Sequence, residues 1–264
     1  MSWENEYKSK LTTAEKAVEL IKSGNRVVIG HACAEPSYLV DAMVANAESY
    51  HDVEIVHMVA MGKAGYAQPG MESHFRHNAL FVGGTTRKAV AEGRGDYTPC
   101  FFYRIPSLFT NGSLPVDVAL VQATPPDENG NMSLGISIDY TLPAARAAKS
   151  VIVQVNHELP RTGGDSCINA SDANIAAIVE HDAPIIELAP PKIGDVDYRE
   201  MPGIPGSTSL RRAWEIMRDK QIDTLPVTSP DNGLEGIITV KDIATANMDV
   251  FDTSVLAVSQ TSYK

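Results

Sequence analysis

Between residues 26 and 156 the chain repeats one pattern. A short run of β-branched and aliphatic residues closes on a turn, and a segment of helical character often follows. The runs are RVVIG (26–30), VEIVHM (53–58), ALFVGG (79–84), DVALVQAT (117–124) and SVIVQVN (150–156). The helical segments are EPSYLVDAMVANA, with Pro36 in its first turn, TTRKAVAEG, and YTLPAARAAK, with Pro143 near its start. Short apolar runs of this kind read as buried strands, and proline is tolerated where it falls at a helix start. Strand, helix and strand joined by short connections build a parallel sheet covered by helices. The expected fold class is therefore α/β, an open, mostly parallel sheet flanked by helices.

Ahead of this pattern, LTTAEKAVELIKSG reads as a helix. Thr12 and Glu15 have capping-box spacing, Ala14, Ala17, Val18 and Ile21 fall on one face, and Gly24 offers a stop. Residues 59–78 show no periodicity and are expected to form an exposed loop. An open sheet holds ligands in the crevice at the carboxyl ends of its strands, so the turns after each strand are the candidate positions. GHACAEP places His31, Cys33 and Glu35 there, and the acidic residue also suits a helix start for dipole reasons alone. GGTTR supplies Gly83, Gly84, Thr85 and Arg87, either an anion seat or merely a tightly packed turn. Two long loops, TPPDENGNMSLGISIDYT and VNHELPRTGGDSCINASD, add Asn129, Ser137 and Arg161. His74 and His77 have i, i+3 spacing with no third ligand of matching spacing, so no metal site is expected.

Charge and composition narrow the partners. With 44% hydrophobic residues the chain has enough apolar material for a core, and its formal net charge of -11 argues against a broad nucleic-acid surface. No run of about 18 uncharged apolar residues offers a membrane span, and the polar start MSWENEYKSKL has no apolar signal core, so a cytoplasmic location is expected. Cys33, Cys100 and Cys167 are scattered and read as free thiols, with Cys33 a candidate to line a pocket.

Several blocks in order carry a resemblance. SGNRVVIGHACAEPSYLVDAMVANA, TTRKAVAEGRGDYTPCFFYRIPSL, VDVALVQATPPDENGNMSLGISIDYT and AAKSVIVQVNHELPRTGGDSCINASD resemble the N-terminal half of the acetyl-CoA hydrolase/transferase family. That family includes 4-hydroxybutyrate and butyrate CoA-transferases. One departure is INASDAN, where Asn169 stands in place of an expected histidine. The resemblance implies a first domain over residues 1–194 and a reaction in which CoA passes from an acyl-CoA to a short carboxylic acid, or the acyl-CoA is hydrolysed. Coenzyme A would be a substrate, with no covalently bound cofactor. The family works through a nucleophilic glutamate that forms an acyl anhydride and then an enzyme–CoA thioester. That glutamate belongs to the family's second half, and no position here matches it. Glu35 belongs to another block and is not assigned that role. The isolated chain is therefore expected to be inactive as a transferase.

After PKIGDVDYREMPGIPGSTSL the pattern changes. Ser207 or Thr208 caps a helix SLRRAWEIMRDKQ with Leu210, Ala213, Trp214 and Met217 on one face, followed by the strands TLPVTS and GIITV and a helix from KDIATANM. This order, and above all GIITVKDI, resembles a single CBS motif. The stretch VDYREMPGIPGSTSLRRAWEIMRDKQIDTLPV is most like the CBS region of clostridial manganese-dependent pyrophosphatases, although no pyrophosphatase metal cluster occurs. The resemblance implies an adenine-nucleotide ligand, AMP or ATP, contacted by Thr239 and Asp242; the plainer reading is that Asp242 only supports its helix. Such motifs pair, so a lone copy over residues 195–264 implies self-association through a homo-oligomer or a truncated motif. The two patterns overlap at Asp195 and Val196, which marks a seam. Two alternatives stay open: a regulatory nucleotide-binding protein related to pyrophosphatases, and an inactive chimeric chain.

Overall fold

A computed structural model describes residues 2–187, 203–220, 222–231, 233–245 and 254–255. The chain divides into two compact units, Met1–Glu187 and Leu188–Lys264. The expected seam at Asp195 and Val196 lies outside the described residues.

The first unit holds the strands β1 (Arg26–Ile29), β2 (Val53–His57), β3 (Phe75–Ala79), β4 (Gly95–Tyr97), β5 (Val118–Ala123), β6 (Asn131–Ser133), β7 (Ser150–Val155), β8 (Cys167–Asn169) and β9 (Ile175–Glu180). Its helices are α1 (Trp3–Lys10), α2 (Ala14–Val18), α3 (Ser37–Ala45), α4 (Arg87–Ala91), α5 (Ile105–Thr110) and α6 (Thr141–Ala147). Seven strands form one sheet in the order β4-β3-β2-β1-β5-β7-β9, and every pairing in it is parallel. β6 and β8 form a separate antiparallel pair. Alternation along each strand divides the core between the two faces. Val28, Ala119, Val121 and Val153 pack with Leu142 and Ala145 of α6, while Val27, Ile29, Leu120 and Ile152 pack with Leu39 and Met43 of α3.

The α/β expectation is met, and several local readings are corrected. Thr13, not Thr12, caps α2, accepting from Lys16 N at 3.4 Å. The Thr12 amide is already committed to Ile178 O, because Leu11 bridges to β9. Residues 59–78 are not an exposed loop. They contain most of β3, and Ala60, Ala64, Tyr66 and Ala67 are buried. The strand expected at ALFVGG instead covers FRHNA. Its buried His77 and Asn78 hide the apolar rhythm: His77 Nδ1 meets Ile55 O, Asn78 Nδ2 donates to Glu54 Oε1, and His77 Nε2 is buried without a partner. His77 is thus a strand residue, and its helical spacing to His74 is not realised. α1, β4, β8 and β9 went unread in the sequence. The polar α1 is fastened by Tyr7, whose hydroxyl donates to Glu180 Oε1 at 2.8 Å, and by Trp3, which donates to Glu128 O.

In the second unit β10 (Ile204–Pro205), β11 (Thr224–Thr228) and β12 (Leu234–Thr239) form a small mixed sheet, accompanied by α7 (Leu210–Lys220) and α8 (Val240–Thr245). Leu210, Ala213 and Met217 pack on Leu225, Val227 and Ile238 as expected. Two details differ. Ser209, rather than Ser207 or Thr208, accepts from Arg212 N at the start of α7. Trp214 is 39% exposed, turned toward the Arg218 guanidinium 5.0 Å from its ring. α7 spans 11 residues, and Leu210, Ala213 and Met217 form its buried stripe with Trp214 at the edge.

Leu120 sits fully buried at the centre of β5. Leu120→Ala is expected to destabilise the first unit by about 2–5 kcal/mol. Urea unfolding followed by Trp3 fluorescence in a Trp214→Phe background measures it for that unit separately.

Candidate functional site

All seven strands run the same way, so their following turns gather at one end. The order turns back between β1 and β5, since β2, β3 and β4 lie to one side of β1 and β5, β7 and β9 to the other. Two neighbouring chains leaving in opposite directions open a crevice. A cavity of about 180 Å³ lies there, lined among others by Cys33, Glu35, Tyr38, Gln122, Gln154 and His181. Two-residue periodicity explains the amides. Gln122 and Gln154 share the strand face of Leu120 and Ile152, the face that packs on α3, and they are partners in register.

Glu35 stands just ahead of α3 and is 3% exposed. Its Oε2 accepts from Met61 N at 2.9 Å and Gly62 N at 3.0 Å, joining the turn after β1 to the loop after β2. A Cβ on Gly62 would collide with the Glu35 carboxylate, so this close approach requires glycine. Burial pushes the Glu35 carboxyl up, and the two amides pull against it. His57 Nε2 is 3.8 Å from Glu35 Oε2, and its Nδ1 meets the Tyr66 hydroxyl at 2.8 Å. Burial holds His57 well below its ordinary value, so the ring is neutral and the contact is not an ion pair. Glu35 is a clamp on two turns. Both amide bonds fall on Oε2, which they hold in place.

The other candidates sort into two groups. Ser137 is buried and donates to His31 O at 2.7 Å, and His31 Nε2 meets Asp139 Oδ2 at 2.7 Å. Burial would raise the Asp139 carboxyl, yet the His31 ring and the Tyr140 and Thr141 amides outweigh it and hold it down. Thr85 donates to Ala60 O, which places GGTTR beside the loop that Glu35 holds. A Cβ on Gly83 or Gly84 would meet nothing within 4 Å, so tight packing does not account for this pair. The helix starts only at Arg87, later than expected, and runs to Ala91, too short for a strong dipole. Arg87 itself is exposed. Asn129 and Arg161 belong elsewhere. Arg161 donates to Asp127 Oδ2, Thr124 Oγ1 and Asn131 O, and Asn169 Nδ2 donates to Asn129 O and Asn131 Oδ1. This second cluster fastens the β6–β8 pair. Gln122, Gln154, Asp139, Tyr38 and His181 were missed, although a glutamine at the same place in VALVQA and SVIVQV is a readable signal.

The model of the acetyl-CoA hydrolase/transferase N-terminal domain matches residues 1–190. The chain belongs to this family. Family relatives include the 4-hydroxybutyrate coenzyme A transferase of Clostridium kluyveri, 59% identical over 197 residues, 75% of this chain and 46% of the relative. A second is the succinyl-CoA:acetate/propanoyl-CoA:succinate CoA transferase of Fasciola hepatica, 35% identical over 70% of this chain and 38% of the relative. Among solved structures, 4-hydroxybutyrate CoA-transferase from Porphyromonas gingivalis aligns with a TM-score of 0.61 and 34% identity, covering 75% of this chain and 45% of that one. This CoA-transferase family member thus spans about half the length, or less, of the relatives it matches. A CBS domain follows, matched over residues 193–249. Over 77 residues the chain is also 34% identical to a cobalt-dependent inorganic pyrophosphatase of Clostridium perfringens, 14% of that protein.

In the CBS domain Thr239 and Asp242 bond to each other. Thr239 N and Oγ1 donate to Asp242 Oδ2 at 2.8 and 2.7 Å, and Asp242 N donates to Thr239 Oγ1 at 3.2 Å. This is a reciprocal cap at the start of α8. The unit's cavity, about 590 Å³ and lined by Gly203, Ser207, Thr228, Ser229 and Glu235 among others, does not include either residue.

Two outcomes are expected. At low pH, Glu35→Gln and the unaltered protein should be equally stable. As pH rises above the ordinary glutamate value of 4.5 the unfolded carboxyl ionises first, so the unaltered protein loses stability relative to the variant until its raised native value is passed. Urea midpoints across a pH series read this. Thr239→Ala should cost the second unit about 0.5–2 kcal/mol through the lost cap, seen as a lower melting temperature of that unit.

Proposed function

We propose that the first unit binds CoA and short acyl-CoA at the crevice between the β1 and β5 turns, and that the chain alone carries out neither transfer nor hydrolysis. The reading is supported chiefly by the long match to CoA-transferases combined with a cavity at the strand ends where a parallel sheet holds ligands. In this reading Glu35 shapes the site by fixing two turns and Ser137 fixes a third. Gly83, Gly84 and Thr85 leave an open approach, and the exposed Arg87 is a cation for a phosphate of CoA. Asn129 and Arg161 lie in the separate cluster at β6 and β8 and take no part in this site. The catalytic glutamate is assigned to the part of the relatives that this chain does not match.

The second unit is assigned to adenine-nucleotide sensing, with AMP or ATP as ligand, and with the boundary between the two domains near residues 194 and 195. Pairing of two copies through this unit would complete a nucleotide cleft and give a homo-oligomer, in a protein placed in the cytoplasm. The mutual engagement of Thr239 and Asp242 requires the nucleotide to displace or share their hydrogen bonds.

Isothermal titration with CoA and butyryl-CoA, alongside an exchange assay with acetyl-CoA and acetate or butyrate, tests the first part. Binding without turnover is the expected result, and robust exchange by the pure chain refutes the assignment of the glutamate. Titration with AMP and ATP tests the second part. Binding weakened by Asp242→Asn supports it, whereas no heat and no thermal shift at millimolar nucleotide refutes it.

A further inference from the structure

Beyond β9 the chain does not leave the sheet at once. Residues 181–187 have no regular secondary structure and run along the crevice, where His181, Ala183, Pro184, Ile185 and Ile186 line the cavity. His181 N still donates to Val155 O at 2.9 Å, continuing the pairing of β7 with β9. From there a side chain takes over from backbone. Asn156 Nδ2 donates to Ala183 O at 2.7 Å and Asn156 Oδ1 accepts from Ala183 N at 3.3 Å, so one carboxamide engages both polar groups of Ala183 as a neighbouring strand would. Glu158 N, 3.0 Å from the same oxygen, fixes the sense of the amide. The other fastenings are light. The His181 ring stacks on Tyr38 with centroids 3.8 Å apart, Asp182 Oδ1 accepts from His157 N at the surface, and Ile186 N reaches Cys33 O at 3.4 Å.

Asn156 is also one end of a ladder of carboxamides. Its Nδ2 donates to Gln122 Oε1 at 2.9 Å, and the same oxygen accepts from Gln154 Nε2 at 3.1 Å. The ladder ends at Gln154 Oε1, which is buried without a hydrogen-bond partner in the cavity wall. A buried acceptor without a donor is costly. The segment that helps to enclose it buries little to offset this. Asp182, Pro184 and Glu187 are exposed, and His181, Ala183, Ile185 and Ile186 are only partly buried. Few buried apolar contacts and few backbone hydrogen bonds place a segment at the low-stability end of a fold, where local opening precedes global unfolding.

We propose that residues 181–187 form a strap that opens and closes over the crevice, with Asn156 as its clasp. In the closed form the strap walls the cavity and leaves Gln154 Oε1 without a donor. In the open form the Ala183 bonds are released, water reaches Gln154 Oε1, and Cys33, partly buried in the same wall, is uncovered. That an acyl-CoA is what enters rests on the reading of the crevice as its site; the opening of the strap does not.

The test uses the full chain with Cys100→Ser and Cys167→Ser, so that Cys33 is its one thiol. The rate of Cys33 alkylation by N-ethylmaleimide reads the opening without any ligand. Asn156→Ser and Tyr38→Ala each remove one fastening and should raise that rate at least about fivefold, the ratio of one lost hydrogen bond or ring contact. Leu120→Ala, which weakens the core and leaves the strap intact, should not change it. If Asn156→Ser does not fold, Tyr38→Ala, altered at a side chain that is partly exposed, decides. A rate unmoved by the strap variants, or raised equally by Leu120→Ala, overturns the strap. Adding Ile186→Cys and oxidising with diamide pins the strap to Cys33, since these two positions already meet through backbone. Association of butyryl-CoA, followed by stopped flow, should then slow at least about tenfold and recover on reduction. Equal association pinned and released overturns the strap as an entrance. Alkylation that responds as expected, with no CoA species bound by the reduced protein, leaves the strap standing and overturns the reading of the crevice as a CoA site.

Discussion

The reversal of strand order at β1 is the constraint on which the first unit depends. A parallel sheet leaves every turn after a strand at one end, and a sheet wound in both directions from one strand leaves a gap there that neither set of connections covers. Glu35, Ser137 and the amides of β5 and β7 lie around that gap. Glu35 draws the turn after β1 toward the loop after β2, and Ser137 draws the same turn toward the loop before α6. Gln122 and Gln154 form a buried polar layer beyond Leu120 and Ile152 on that face. Remove the reversal and these residues would remain buried amides and a buried acid with no common cavity.

The parts of this arrangement that could be read from sequence are those in which one force dominates. RVVI, VALVQA and SVIVQV are central strands buried on both faces, and hydrophobicity alone marks them. β3 escaped because FRHNA carries four polar or small residues, and the bonds of Arg76, His77 and Asn78 to neighbouring strands are recorded by no local pattern. α1 escaped for the opposite reason, a polar surface helix held by the long-range bonds of Trp3 and Tyr7. At the site, Glu35 and the GGTTR turn were legible because a strand end followed by a helix is a local signal. Asp139 and His181 were not, since their approach to His31 and Tyr38 exists only after folding.

The two units differ in how their polar residues are used. In the first, buried histidines, tyrosines and the glutamate of the crevice are kept neutral or driven toward neutrality by burial. In the second, the two residues that the CBS resemblance marks for a nucleotide are spent on the start of a helix. The sequence motif T-x-x-D and the capping box have the same spacing, so a single pattern serves both purposes until a ligand competes for the hydroxyl.

The ladder Asn156–Gln122–Gln154 is made wholly of carboxamides, and carboxamides do not titrate in water. Its polarity is therefore the same in acid as at neutrality.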